Sequence, residues 1–338
     1  MKIIFLNRIW SLLLIICWVP QLLAQTATSS IFDLLTQQEG DTLRLDINLT
    51  DLLANRRSTA YFPAMVTAAN GQSFPLEVRV RGKFRRKTCE IPPLKLKFSK
   101  KTLLAAGLDT LNEIKLVLPH AFDAKSEELI LREYIAYRMY ERLTPVCFRA
   151  RLVRLQLTDN SRPKTRLACA ILLEHEEQVA MRQRGQIAKV WELPKQGVNM
   201  DQAALAVLFE YLIGNTDWDM VSSRNMLFLQ PIDAGDMLIM PYDFDFSGLV
   251  SAPYASPNSV TGLKNVRDRY LMAKGIAPES LRRAVQLMKD ARTDLAALCK
   301  SDYLSKKASA QMVDYLTIFF DAVEHSSEVP AMLVSTKR

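Results

Sequence analysis

GNTDWDMVSSRN at residues 214–225, followed by PYDFD at residues 241–245, is the most informative part of this sequence. Two short apolar runs lie between these motifs, Met226 to Leu229 and Met237 to Pro241, and a turn-forming PIDAGD segment separates them. Short apolar runs on either side of an Asp/Gly turn predict a β-hairpin. We expect the two motifs to meet at the open end of that hairpin, because antiparallel pairing places the start of one strand beside the end of the other.

Three polar side chains are expected to meet there. Asn225 and Asp243 should be neighbours, and Asp217 lies on the loop just before them. Carboxylate and amide oxygens are hard ligands of the kind that Mg²⁺ prefers, and a hydroxyl nucleophile needs a nearby carboxylate to orient it. The set is typical of a phosphotransfer site that uses a Mg²⁺-bound nucleotide. The alternative is that these side chains have only a structural role, since acidic residues near turns commonly cap the turns or face water.

The start of the chain predicts export. A segment containing Lys2 and Arg8 precedes an apolar run, and Ala24 supplies the small residue expected at a cleavage site. We therefore expect residues 1–24 to be a secretory signal peptide and the mature protein to be periplasmic or extracellular. The apolar run is short for a membrane span and no later segment is apolar enough, so no stable membrane span is predicted.

Charge and cysteine content narrow the classes of function. The 338-residue chain has a formal net charge of +8, which falls to +6 when Lys2 and Arg8 leave with the leader. Basic residues are scattered except at residues 79–87, and no nucleic-acid-binding motif is present, so nucleic acid is not an expected partner. With no CxxC motif and only three histidines, a structural zinc site is not expected. Four cysteines of the mature chain allow two disulfides by three connectivities, which stay open: Cys89, Cys147, Cys169 and Cys299.

Strands dominate the early part of the chain and helices the later part. Alternating apolar residues predict strands at residues 76–81 and 94–98 and a further hairpin at 148–157 and 166–174. Apolar residues at helical spacing predict helices at residues 126–143, before Gly214, at 278–300 and at 305–325. This order indicates an α+β fold. We expect a bilobal arrangement, with a strand-rich N-terminal lobe over residues 25–180 and a mostly helical C-terminal lobe, carrying the hairpin, over residues 181–338.

Four further side chains are candidates for nucleotide binding. Arg81 belongs to the basic segment RVRGKFRRK, which could clamp phosphates, although such segments are more often solvated strands. Lys97 points away from the apolar face of its strand, and Glu133 lies mid-helix where it could pair with such a lysine. Glu174 ends a strand and could border a nucleotide pocket. The alternative is that these side chains lie on the surface and bind no ligand. The chain has neither a common kinase glycine-rich loop nor a P-loop.

The order of these segments resembles the CotH-type atypical kinases of spore coats. The matching segments lie within about residues 76–250 and read RVRGKFRRK, PPLKLKF, AFDAKSEELILREYIAYRMY, ACAILLEHEE, GNTDWDMVSSRN and PYDFDFSG. The pieces around Asp217 and Asp243 are also similar to HipA-type kinases, which share that fold. The resemblance implies a bilobal atypical protein-kinase-like fold that uses Mg²⁺ (or Mn²⁺) and takes ATP as a substrate.

The resemblance also implies roles for the candidate residues. Asp217 would be the catalytic residue, and Asn225 and Asp243 would be the metal ligands. Lys97, in preference to Lys95, would be the lysine that faces the phosphates. The expected function is transfer of a phosphoryl group from a Mg²⁺-bound nucleotide to the hydroxyl of a protein acceptor that the sequence does not identify.

Two other functions stay open. A kinase-folded envelope or structural protein could bind a partner without catalysis, and the lack of ATP outside the inner membrane favours it. The presence of Asp217, Asn225 and Asp243 together favours the enzyme, since an inactive relative is expected to have lost one of them. A metal-dependent hydrolase could use the same carboxylates, but the absence of histidine ligands argues against it.

Overall fold

The computed structural model describes residues 29–162, 164–188 and 197–324. The predicted signal peptide, residues 1–24, lies outside the described residues, and so does the last residue of the helix predicted to end at His325. Within these ranges, none of the helices combines the length and apolar character that a membrane crossing needs.

In the described part of the first half, seven strands close into a barrel. The strands are β1 (Thr42–Ile47), β2 (Phe62–Thr67), β3 (Ser73–Val80), β4 (Leu94–Phe98), β5 (Glu113–Val117), β6 (Ala150–Asp159) and β7 (Lys164–Leu173). They are hydrogen-bonded in the order β1-β2-β3-β4-β5-β7-β6, and a parallel pairing of β1 with β6 closes the ring. Closure leaves no open edge on this sheet.

Helices and a second sheet make up most of the remainder. The helices are α1 (Ile31–Leu35), α2 (Leu49–Ala54), α3 (Arg85–Thr88), α4 (Lys100–Ala105), α5 (Ala124–Leu143), α6 (Glu176–Arg182), α7 (Met200–Ile213), α8 (Pro278–Asp290), α9 (Arg292–Leu298) and α10 (Lys306–Glu324). The second sheet has the order β10-β9-β8 and consists of β8 (Gly185–Ala188), β9 (Met226–Pro231) and β10 (Leu238–Pro241).

Two large apolar cores meet across the barrel wall. Leu116 and Leu172 point into the barrel, whereas Val117 and Ile171 belong to the core formed with α5, α7, α8 and α10. Strands β5 and β7 therefore bury residues on both faces, as a strand covered on both sides does. The barrel and the helical part consequently pack directly against each other.

The α+β class is confirmed, and several elements match their predicted positions. Strand β4 has its predicted limits, helix α5 begins two residues before its predicted start, and β6 and β7 form the predicted hairpin. The helix predicted over residues 278–300 is divided at Ala291 into α8 and α9. Barrel closure was not predicted, because it depends on the pairing of β1 with β6, which are far apart in sequence.

The disulfides that the sequence permits are absent from the described chain. The four cysteines are free and buried, and burial raises the pKa of each thiol: Cys89, Cys147, Cys169 and Cys299. Buried thiols with raised pKa values are poor nucleophiles, so Cys147, Cys169 and Cys299 act as small apolar residues of the core. Cys89 Sγ instead lies 3.5 Å from Nδ1 of His120.

Helix α7 ends where the loop that carries Asp217 begins. Gly214 has a φ of 66°, and its N–H donates to the carbonyl of Tyr211, which closes the helix in a left-handed cap. A Cβ at this position would collide with the Tyr315 hydroxyl of α10. Glycine is thus required both for backbone conformation and for space.

We expect Gly214→Ala to destabilise the protein more than Gly107→Ala, although both glycines have positive φ. The left-handed conformation costs alanine about 1–2 kcal/mol at either position. The collision with Tyr315 adds about 1–3 kcal/mol at Gly214 alone, because a Cβ at Gly107 meets no atom within 4 Å. Urea unfolding of both variants measures the difference, and equal losses of stability would contradict the close contact.

Candidate active site

A cavity of about 560 Å³ lies between the barrel and the open end of the β9–β10 hairpin. The barrel contributes Arg81 and the loop that follows it, and Val117 from the end of β5. The other side is formed by the loops at the hairpin, which contribute Asp217, Asn225 and Asp243. Four of the side chains predicted for the site therefore share one cavity.

The hairpin sets the distance between the two motifs. Strands β9 and β10 pair antiparallel with Pro241 opposite Met226, and the N–H of Tyr242 donates to the carbonyl of Asn225 at 3.0 Å. Asn225 and Asp243 consequently flank the open end of the hairpin, as the apolar pattern predicts. Their roles as metal ligands stay predictions.

The side chain of Asp217 is held from both sides. The Asn225 amide donates to the backbone carbonyl of Asp217 at 2.6 Å and to its Oδ2 at 3.2 Å, and Arg224 Nη1 lies 3.5 Å from its Oδ1. Burial raises the pKa of Asp217, Arg224 opposes this shift, and the charge of Asp243 adds to it. The carboxylate is therefore fixed in direction and more basic than an exposed aspartate.

Three of the six non-glycine residues with positive φ among the described residues line the cavity. Ser223, Asn225 and Asp243 have φ values of 52°, 55° and 69°, in the left-handed region that only Asn and Asp adopt with some ease among residues with side chains. The N–H of Asp243 donates to the Tyr137 hydroxyl of α5 at 2.8 Å, which holds this conformation. Strained residues that are held in place by surrounding contacts are typical of functional sites.

Several polar groups of the cavity have no partner within the described residues. The carboxylate of Asp243 and the guanidinium of Arg81 take part in no hydrogen bond or ion pair there, and Oδ1 of Asn225 accepts none. An unpaired carboxylate and a free amide oxygen that line one cavity fit the hard oxygen ligands of Mg²⁺, and the unpaired arginine fits a phosphate.

A cation at this position would need further ligands in addition to Asn225 and Asp243. In the part of the chain that the structure describes, no group of three or more His, Cys, Asp or Glu side chains could hold a metal ion. Mg²⁺ is commonly bound by one or two protein side chains together with waters and substrate phosphates. The donor set of Asn225 and Asp243 therefore fits a Mg²⁺–nucleotide better than a free metal ion.

Glu133 lies behind the cavity and pairs with an arginine instead of the lysine expected from the sequence. Arg85 Nη2 donates to Glu133 Oε2 at 3.0 Å, and Arg85 Nε lies 3.1 Å from Asp245 Oδ2. Burial raises the pKa of Asp245 to about 8, and Arg85 opposes that shift. Arg85 is thus a buried cation that pairs with two buried carboxyl groups, and it joins the start of α3 to α5 and to the second motif.

The structure does not bring Lys97 or Glu174 to this cavity. Lys97 lies on the outside of the barrel, 5.0 Å from the centroid of the Tyr61 ring. Glu174 is fully buried and accepts hydrogen bonds from Arg149 at 3.1 Å and from Arg182 at 2.9 Å. These contacts indicate that Glu174 fixes the connection between β7 and α6.

Sequence reasoning missed a buried lysine that lies beside a residue of the cavity wall. Lys115 of β5 is buried, pairs with Glu176, and has its Nζ 5.3 Å from the centroid of the Tyr242 ring, which lines the cavity. Burial lowers the pKa of Lys115 to about 8, and Glu176 opposes this shift. A lysine in the apolar run IKLVL was the signal that could have revealed it.

A buried carboxyl group lies beneath the Asp217 loop. Glu210 of α7 is fully buried, and its backbone carbonyl accepts from the N–H of Asn215, whose Oδ1 accepts from the N–H of Asp217 at 3.0 Å. Neither carboxyl oxygen of Glu210 has a hydrogen-bond partner among the described residues. Burial raises the pKa of Glu210 well above its ordinary value.

We expect Glu210→Gln to flatten the dependence of stability on pH. Because the folded-state pKa is raised, the folded protein binds more protons than the unfolded chain above about pH 4.5, and stability falls as the pH rises towards the folded-state pKa. Glutamine binds no proton, so this loss disappears. Melting temperatures at pH 5 and pH 8 test the expectation, with the exposed Glu177→Gln as matched control. Identical slopes for Glu210→Gln and wild type would contradict it.

Comparison with known proteins gives little that bears on function. No protein family and no curated protein matches the sequence. Among solved structures, the fold is similar to that of the Helicobacter pylori proinflammatory kinase CtkA, with a TM-score of 0.37 and 9% sequence identity over 77% of this chain and 88% of that chain. Because this likeness is distant, the function has to be inferred from the chemistry of the site itself.

Proposed function

We propose that the chain is an exported phosphotransferase with a bilobal, atypical kinase-like arrangement. It would transfer a phosphoryl group from a Mg²⁺-bound nucleotide such as ATP to a protein hydroxyl. The observation that carries the proposal is the convergence of Arg81, Asp217, Asn225 and Asp243 on one cavity between the barrel and the hairpin. The barrel would be the N-terminal lobe, and the helices with the second sheet would form the C-terminal lobe.

The three unpaired groups of the cavity would bind the Mg²⁺–nucleotide. Asn225 and Asp243 would hold Mg²⁺ (or Mn²⁺), which when bound neutralises charge on the phosphates. Arg81 would bind phosphate oxygens from the barrel side. Lys115 replaces Lys97 in this proposal as the buried lysine of the cleft, because it lies beside the cavity-lining ring of Tyr242.

Asp217 would act on the acceptor. Its carboxylate is aimed into the cavity by Asn225 and Arg224, so a hydroxyl that enters there meets a fixed hydrogen-bond acceptor. The raised pKa of Asp217 also makes it a better proton acceptor than an exposed aspartate. Glu133 would act indirectly, by holding Arg85 and the loop after β3 over the cavity.

The alternative is a partner-binding protein of the same fold without catalysis. It is favoured by the ion pair between Arg224 and Asp217, which occupies one oxygen of the proposed catalytic group. The described residues also contain no group of three or more His, Cys, Asp or Glu side chains that could hold a metal ion without a nucleotide. Nucleotide binding separates the two functions.

We expect Asp243→Asn to abolish Mg²⁺-dependent nucleotide binding and leave the fold intact, since the change removes a hard anionic ligand without opening a cavity. With nucleotide at about 100 times its Kd, wild type should gain about 2.7 kcal/mol of stability, and the variant almost none. Thermal unfolding with ATP and Mg²⁺ measures this. Asp233→Asn, in the turn at the opposite end of the hairpin, is the matched control and should respond like wild type. Equal stabilisation of Asp243→Asn would exclude a metal-binding role.

We expect Asp217→Ala to keep nucleotide binding and to lose phosphotransfer by about 10²–10⁴-fold, because the carboxylate acts on the acceptor hydroxyl. Transfer of radiolabel from ATP to an acidic Ser-rich protein, and to the protein itself, is the measurement. Asp217→Asn keeps the shape of the side chain and should be nearly as slow. Wild-type rates in Asp217→Ala would remove its catalytic role, and a wild type inactive with several divalent metals and unable to bind nucleotide would favour the alternative function.

A further inference from the structure

We propose that a second groove, beside the Asp217 loop, binds the acceptor as an extended peptide with an apolar residue next to the accepting hydroxyl and an acidic residue beyond it. This inference rests on the proposed function, since it specifies the acceptor of that site. The groove has a volume of about 690 Å³ and is bounded by residues of three segments, 218–224, 258–260 and 270–274.

The groove and the cavity of the candidate active site share a wall. Arg224 lines both of them, so a chain segment lying in the groove reaches the cavity that Asp217 lines. The opposite wall is fixed to the same loop, because the N–H of Asn258 donates to Oγ1 of Thr216 at 2.9 Å. The groove is therefore held in a constant position relative to Asp217.

The surface of the groove is apolar for a solvent-exposed site. Trp218 and the partly buried Met272 belong to an apolar cluster that lies under it. Val221 and Val260, on its rim, are 82% and 79% exposed. Exposed valines that flank a recess floored by aromatic and thioether side chains are suited to cover an apolar side chain of a partner.

The charge of the groove indicates that the peptide carries an acidic residue. Arg224 and Lys274 line the groove, and Asp219 is the only acidic residue among its described lining residues. The carboxylate of Asp219 already accepts from the N–H of Val221 at 2.9 Å and from the hydroxyl of Ser222 at 2.7 Å. The charge open to a ligand is therefore positive, which favours an acidic residue in the peptide.

An acidic residue in the peptide would also act on Asp217. Arg224 lies 3.5 Å from Asp217 Oδ1 in the free protein. A peptide carboxylate that binds Arg224 would weaken this ion pair and leave Oδ1 available for the accepting hydroxyl. Acceptor binding and exposure of the catalytic oxygen would then be coupled through one side chain.

Direct peptide binding tests the inference without requiring phosphotransfer. Fluorescein-labelled nonapeptides with a central serine would carry leucine at the next position and glutamate two positions further, or have leucine replaced by serine, or glutamate by lysine. Fluorescence anisotropy on the full chain, without nucleotide, should show binding of the first peptide about tenfold tighter than of either altered peptide. Equal affinity for the three peptides would overturn the inference.

Two variants locate the binding surface. Lys274→Glu should reverse the preference, so that the lysine peptide binds tighter than the glutamate peptide, whereas Lys307→Glu on α10 should leave it unchanged. Val260→Asp should remove the preference for leucine without lowering the melting temperature, because this side chain is exposed. An unchanged preference in Lys274→Glu would overturn the inference. Because nucleotide is absent from this assay, loss of nucleotide binding tests the proposed function separately.

Discussion

The register of the β9–β10 hairpin is the constraint on which the site depends. It places Asn225 beside Tyr242, the residue before Asp243, at the end of the hairpin that lines the cavity. A slip by one residue would turn every side chain of a strand to the other face. Met226, Phe228 and Ile239 pack in one apolar cluster, and Leu227 and Leu229 pack on the opposite face in the main core, so burial on both faces of the sheet holds this register.

Much of the fold could be predicted because its strands and helices carry local periodicity. The alternation in β4 and the helical spacing in α5 are visible without any neighbour. Closure of the barrel could not be predicted in this way. It depends on the parallel pairing of Thr42 with Arg154, and nothing in either local pattern identifies so remote a partner. Strand β5 was missed for a related reason, since burial on both faces removes the alternation that reveals a strand.

The same difference between local patterns and remote partners explains which residues of the candidate site could be predicted. Asp217, Asn225 and Asp243 lie within one short segment, so local rules bring them together, whereas the partners of Glu133 and Lys115 come from distant segments. Lys97 shares the outward face of β4 with Lys95, and alternation alone does not tell which part of that face the helical half covers. Arg85 was overlooked because a run of arginines and lysines normally stays in water, and here the fold buries one of them between two carboxyl groups.

The close contact between Tyr315 and Gly214 links helix α10 to the start of the loop that carries Asp217. The Tyr315 hydroxyl donates to the carbonyl of Arg267, its ring lies 3.8 Å from the guanidinium of Arg269, and Arg269 in turn donates to the carbonyl of Leu212. Helix α10 therefore packs behind the loop that carries Asp217. Removing α10 would therefore disturb the loop of Asp217 through Tyr315, although no described residue of α10 lines the cavity.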